Sequence, residues 1–71
     1  MEALLAGIPA VANVRAEALG TLVVRTVSGY EYAVRANRAG WTVVEIDGGI
    51  RVGIWSFSSQ IDVIEFFIGA N

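Results

Sequence analysis

Cysteine and histidine are absent from the 71 residues, and every basic side chain is an arginine. The first absence excludes a disulfide framework, which a domain this small would otherwise use for support. Together the two remove the typical ligands of a structural zinc site and the bases of Cys–His and Ser–His nucleophilic pairs. The lack of lysine removes a Ser–Lys pair as well. Pro9 is the single proline, and only 17% of residues are charged. No apolar run approaches the roughly 20 residues needed to cross a bilayer. The longest uncharged stretch near the start, Ala3 to Val14, is broken by Pro9 and Asn13, and Glu2 stands where a secretory leader carries positive charge. These features lead to the expectation of a cytoplasmic protein. Absent cysteine fits a reducing compartment without establishing one.

What is present is a set of glycine-ended loops. Val27-Ser28-Gly29, Arg38-Ala39-Gly40 and Asp47-Gly48-Gly49 separate segments rich in Val, Ile, Thr and aromatics. In a three-residue hairpin loop a type I turn is followed by a left-handed residue, a conformation that favours glycine. This spacing predicts a four-stranded antiparallel meander over about 21–26, 30–37, 41–46 and 50–57. The register then sets Arg25 opposite Glu31, Val24 opposite Tyr32, Glu45 opposite Arg51, Val44 opposite Val52 and Trp41 opposite Trp55. Cross-strand ion pairs support such a register at about 0.2–1 kcal/mol each.

Carried through all loops, this register collects Leu22, Val24, Tyr32, Val34, Val44, Ile46, Val52 and Ile54 on an aliphatic core face. The other face then holds Arg25, Glu31, Arg35, Glu45 and Arg51, interrupted by Val23, Ala33, Trp41, Val43, Trp55 and Phe57. A one-residue slip in any loop would exchange these sets for every later strand.

Helices are expected at both ends. Pro9 suits a first helical turn, Ala10 to Leu19 contains helix formers and Gly20 fits a stop, which predicts a helix over about 9–19 and leaves residues 1–8 open between a separate turn at Glu2 to Ala6 and a loose arm. Ser59 with Asp62 three residues on has capping-box-like spacing and predicts a helix over about 59–69, against a fifth strand favoured by its Ile, Val and Phe content. Both helices would pack on the aliphatic sheet face, giving one small α+β domain spanning residues 1–71.

No catalytic, metal or cofactor constellation accompanies this architecture. The serines read as strand-end and cap residues, and the carboxylates as exposed acids. Asp47-Gly48-Gly49 supplies one carboxylate, far short of a calcium loop. Gly48 and Gly53 have phosphate-loop spacing, but Ile54 and Trp55 stand where that motif needs Lys and Ser or Thr. The expectation is a protein that binds without catalysis and without a cofactor.

Its size points to self-association. A chain this short buries only about 60% of the surface its unfolded form exposes, and 55% of these residues are hydrophobic. Phe66, Phe67 and Ile68 are the expected contacts between copies in a homo-oligomer. Trp41, Trp55, Arg35 and Arg51 are the expected contacts to another protein, because Trp and Arg are favoured interface anchors. The function expected is a regulatory, inhibitory or accessory module. Two alternatives stand beside it: a single-stranded nucleic-acid binder using Arg and Trp, opposed by a net charge of -2, and a purely structural self-assembling protein.

Overall fold

The computed structural model describes residues 1–70 as a helix, a five-stranded antiparallel sheet and a closing helix. The elements are α1 (Glu2–Ala6), β1 (Val11–Ala16), β2 (Leu22–Thr26), β3 (Glu31–Asn37), β4 (Gly40–Asp47), β5 (Ile50–Phe57) and α2 (Gln60–Ile68), with one 3-10 turn at Ala18–Gly20. The strands lie in chain order, β1-β2-β3-β4-β5. The α+β meander with terminal helices therefore holds, with one strand more than the sequence indicated.

The extra strand corrects the N-terminal helix expected over about 9–19. Val11–Ala16 is extended and pairs with β2, setting Val14 opposite Val24 and Ala16 opposite Leu22. Alanine-rich helix propensity amounts to tenths of a kcal/mol per residue, and burying Val11 and Val14 beside β2 outweighs it. Gly20 does not stop a helix. With Leu19 it turns through the left-handed region (φ 62° and 72°) to bring β2 back along β1. Nor are residues 1–8 a loose arm: Glu2–Ala6 is helical, and Leu5 and Ile8 are buried in the core.

The first predicted hairpin register is correct, with Arg25 opposite Glu31 and Val24 opposite Tyr32. Thr26 fixes this turn from its buried position, its Oγ1 accepting a 3.1 Å hydrogen bond from the Tyr30 amide. The next register is shifted by one residue. Asn37 pairs directly with Gly40, leaving a two-residue turn at Arg38-Ala39. The Asn37 amide closes it, Oδ1 accepting from the Ala39 N–H at 2.9 Å and Nδ2 donating to Thr42 Oγ1 at 2.7 Å. Gly40 has φ 141° inside β4, where a Cβ would lie 2.2 Å from the Phe57 carbonyl oxygen, so it serves backbone approach instead of ending a loop. The last hairpin also turns in two residues, Gly48 and Gly49, both left-handed. A bulge follows, in which Val52 is the extra residue between Arg51 and Gly53.

The shift inverts β4 and β5. One sheet face carries Val24, Val34, Val43, Trp41, Trp55 and Phe57, and α2 packs over it through buried Val63 and Phe67. The opposite face carries Val44, Ile46 and Ile54, which were expected in the core. Helix α2 begins at Ser59, whose Oγ accepts from the Asp62 N–H at 3.3 Å, in agreement with the predicted cap.

Candidate functional site

Partnered residues on neighbouring strands share a face, so the uncovered face can be read as rows running across the strands. Its central row is Arg15–Val23–Ala33–Val44–Ile54, one residue from each strand. Beside it runs Asn13–Arg25–Glu31, continued on β4 and β5 by Ile46 and Arg51. On the other side lie Arg35, Thr42 and Ser56. Arg38, in the β3–β4 turn, joins Arg35 and Arg51 in lining a shallow basin floored by Ala33, Val44, Ile46 and Ile54. From Val23 to Ile54 the apolar row crosses three strand spacings, about 14 Å at 4.8 Å each.

All the basic side chains of the chain thus border this face, while Glu45, Asp62 and Glu65 lie on the opposite side of the sheet or on α2. Although Glu31 shares this face and Glu17 pairs with Arg15, the net charge of -2 conceals an excess of positive charge here. Among the described residues the one ion pair is Arg15–Glu17 at 3.1 Å, so Arg25, Arg35, Arg38 and Arg51 have no carboxylate at bridging distance. Arg25 and Glu31 are opposite in register without closing a bridge.

The expected partner residues fall in two groups. Arg35 and Arg51 are exposed on the open face, whereas Trp41 and Trp55 share the face covered by α2. Trp55 is tied into an aromatic cluster, its ring centroid 5.1 Å from Phe66 and 6.2 Å from Tyr32. The structure therefore does not bring the tryptophans and arginines onto one surface. The expected oligomer contacts divide likewise. Phe67 is fully buried within the subunit, Phe66 is half-buried among the rings of Tyr32, Trp55 and Phe57, and Ile68 is exposed. Ile54, Val44 and Ile46 were missed as surface residues because the turn lengths placed them on the wrong face. The shorter turn at Gly48-Gly49 and the bulge at Val52 cancel in facing, so the error lies in the β3–β4 turn, one residue shorter than expected.

No group of three or more Asp and Glu side chains is placed to hold a metal ion among the described residues, and no helix there is long and apolar enough to cross a membrane. Comparison with protein-family models, with curated proteins and with solved structures returns no match.

Proposed function

We propose that the chain is a homo-oligomeric protein-binding module with a regulatory, inhibitory or accessory role, acting by surface complementarity without catalysis. The open sheet face is its partner site. The observation that supports this most is the apolar row Ala33–Val44–Ile54, with buried Val23 at its end, bordered by Arg25, Arg35, Arg38 and Arg51, which have no carboxylate at bridging distance among the described residues. An apolar strip with a charged rim is the usual anatomy of a protein interface, and arginine is enriched there. The partner that fits is an acidic amphipathic segment. A helix of about nine residues matches the 14 Å row at 1.5 Å per residue, with Asp or Glu flanking its apolar stripe.

Single-stranded nucleic acid is the less favoured occupant. Base stacking needs aromatic faces beside the arginines, and both tryptophans lie across the sheet from them. Self-association draws support from Ile50, Val52, Ile61 and Ile68, which lie outside that row and are all more than half exposed.

Fluorescence-anisotropy titrations with a labelled acidic amphipathic peptide and with a labelled single strand test the reading, each at about 50 and 200 mM salt. The expected result is saturable peptide binding that weakens with salt and falls at least about tenfold in the Arg35→Glu/Arg51→Glu variant, the effect of roughly 1.4 kcal/mol. Tighter binding of the single strand at both salt concentrations, or a peptide affinity indifferent to the double substitution, would overturn it.

A further inference from the structure

The covered face carries one residue out of keeping with its row. Val14, Val24, Tyr32, Glu45 and Gly53 are successive partners across the five strands, and Glu45 is the single charged group among them. It is half-buried and has no cation at bridging distance among the described residues. A half-buried carboxylate without a partner is free to accept a cation from solution.

Its surroundings fit a cation. Glu45 lines a groove of about 760 Å³ together with Tyr30, Tyr32, Trp55, Phe66 and Glu65. The carboxyl end of α2, at Gly69 and Ala70, forms the remaining wall, and a helix C-terminus carries partial negative charge. Gly53 explains how the indole reaches this place. Trp55 folds back over it so closely that a Cβ there would meet Cη2 at 2.7 Å. Tyr32 adds an unpartnered hydroxyl to the groove. It is 6% exposed, its hydroxyl makes no hydrogen bond among the described residues, and no fully buried side-chain polar atom lacks a partner there. The hydroxyl therefore opens into the groove.

From this juxtaposition of aromatic rings and unpaired carboxylates we propose that the groove binds an organic cation, a quaternary or methylated ammonium group. Aromatic π-faces attract such a cation, and the methyl groups need no hydrogen-bond acceptors, which ring walls do not supply. Two carboxylates without further ligands make a poor metal site, since calcium takes six to eight oxygens. The chain's own arginines cannot fill the groove from the opposite face. Burial, then the charge of Glu45, then Tyr30 hold the Tyr32 phenol above its ordinary proton affinity, so it stays neutral beside the bound charge. This site is separate from the open arginine face, and either assignment can fail without the other.

Amide and indole ¹H–¹⁵N spectra of the intact protein provide the test, with tetramethylammonium, a neutral tert-butyl alcohol of similar shape, and guanidinium as probes. Tetramethylammonium should shift the Trp55 indole and the Tyr30, Glu45 and Gly53 amides saturably in the millimolar range, leaving Ala33 and Val44 unmoved. Glu45→Gln preserves shape and should weaken binding by about tenfold. Glu65→Gln, on the exposed helix surface, should weaken it by a smaller factor, which keeps the test alive if the first variant loses structure. A trimethyl-lysine peptide binding more tightly than tetramethylammonium identifies a protein-borne source, and equal affinity a free small cation. Non-saturating shifts, an equal response to the neutral alcohol, tighter saturation by guanidinium, or retention of affinity in both variants would overturn the assignment.

Discussion

Replacing Gly53 with alanine should destabilise the protein, although the same change in a strand interior ordinarily helps by about 0.5–1 kcal/mol. The reason lies in Trp55. The new Cβ would stand 2.7, 3.1 and 3.5 Å from three indole carbons, against an optimal carbon–carbon separation of about 3.5–4.0 Å. Phe66 at 5.1 Å and Tyr32 at 6.2 Å between ring centroids block inward retreat, so the indole must swing toward solvent. Two aromatic contacts are then lost, at about 0.5–1.5 kcal/mol each. Offsetting them by the alanine gain leaves a net loss of up to about 2.5 kcal/mol, centred near 1 kcal/mol. Urea unfolding followed by far-ultraviolet circular dichroism would register this as a midpoint lower by about 1 M and by no more than about 2.5 M, for a slope near 1 kcal/mol/M. In a Trp55→Ala background the sign should reverse, and Gly53→Ala should stabilise by about 0.5–1 kcal/mol. Stabilisation in both backgrounds would refute the reasoning, because it would mean that the indole does not lie over Gly53.

Other outcomes follow from the same geometry. Phe67→Ala, at a site with no exposed surface, should cost about 3–5 kcal/mol in urea unfolding, while Ile68→Ala on the helix exterior should stay within about 0.5 kcal/mol. A loss below 1 kcal/mol at Phe67 would place that ring outside the core. Ser59→Ala removes the oxygen that caps the Asp62 amide and should cost about 1 kcal/mol, with Ser59→Asp restoring most of it. Because burial and Glu45 raise the proton affinity of Tyr32, the folded state holds that proton more tightly than the unfolded chain. This contribution is complete below the ordinary tyrosine range near pH 10 and is lost as pH rises through the folded value. Glu45→Gln should therefore flatten the alkaline decline in melting temperature, and an unchanged decline would argue against that coupling. Sedimentation at micromolar concentration should show an assembly larger than the monomer, and a monodisperse monomer would contradict self-association.

The parts of the fold that were legible are those set by local chemistry. Gly29 in the left-handed region, with Thr26 bonded to the Tyr30 amide, makes a turn whose register can be counted from sequence. Ser59 and Asp62 likewise mark the start of α2. What could not be read depends on contacts between distant segments. Gly40 looks like a loop terminus, yet it lies within β4 because the Phe57–Ser58 backbone passes against it. That single displacement turned Trp41, Val43, Trp55 and Phe57 inward and Val44, Ile46 and Ile54 outward, which separated the tryptophans from the arginines. In the same way, Val11–Ala16 has the composition of a helix and becomes a strand through pairing with β2. Arg35 and Arg51 were legible as surface groups. Of the apolar row between the arginines, Val23 and Ala33 were legible, whereas Val44 and Ile54 were not, since their facing depends on the β3–β4 turn.

Chemical-shift mapping of the ¹⁵N-labelled protein with a bound acidic amphipathic peptide addresses the central claim most directly. The largest changes should fall on Val23, Ala33, Val44 and Ile54 and on the guanidinium Nε–H groups of Arg35 and Arg51, fading as salt is raised. Changes confined to Trp41, Trp55 and Phe66, with the open face silent, would contradict the claim.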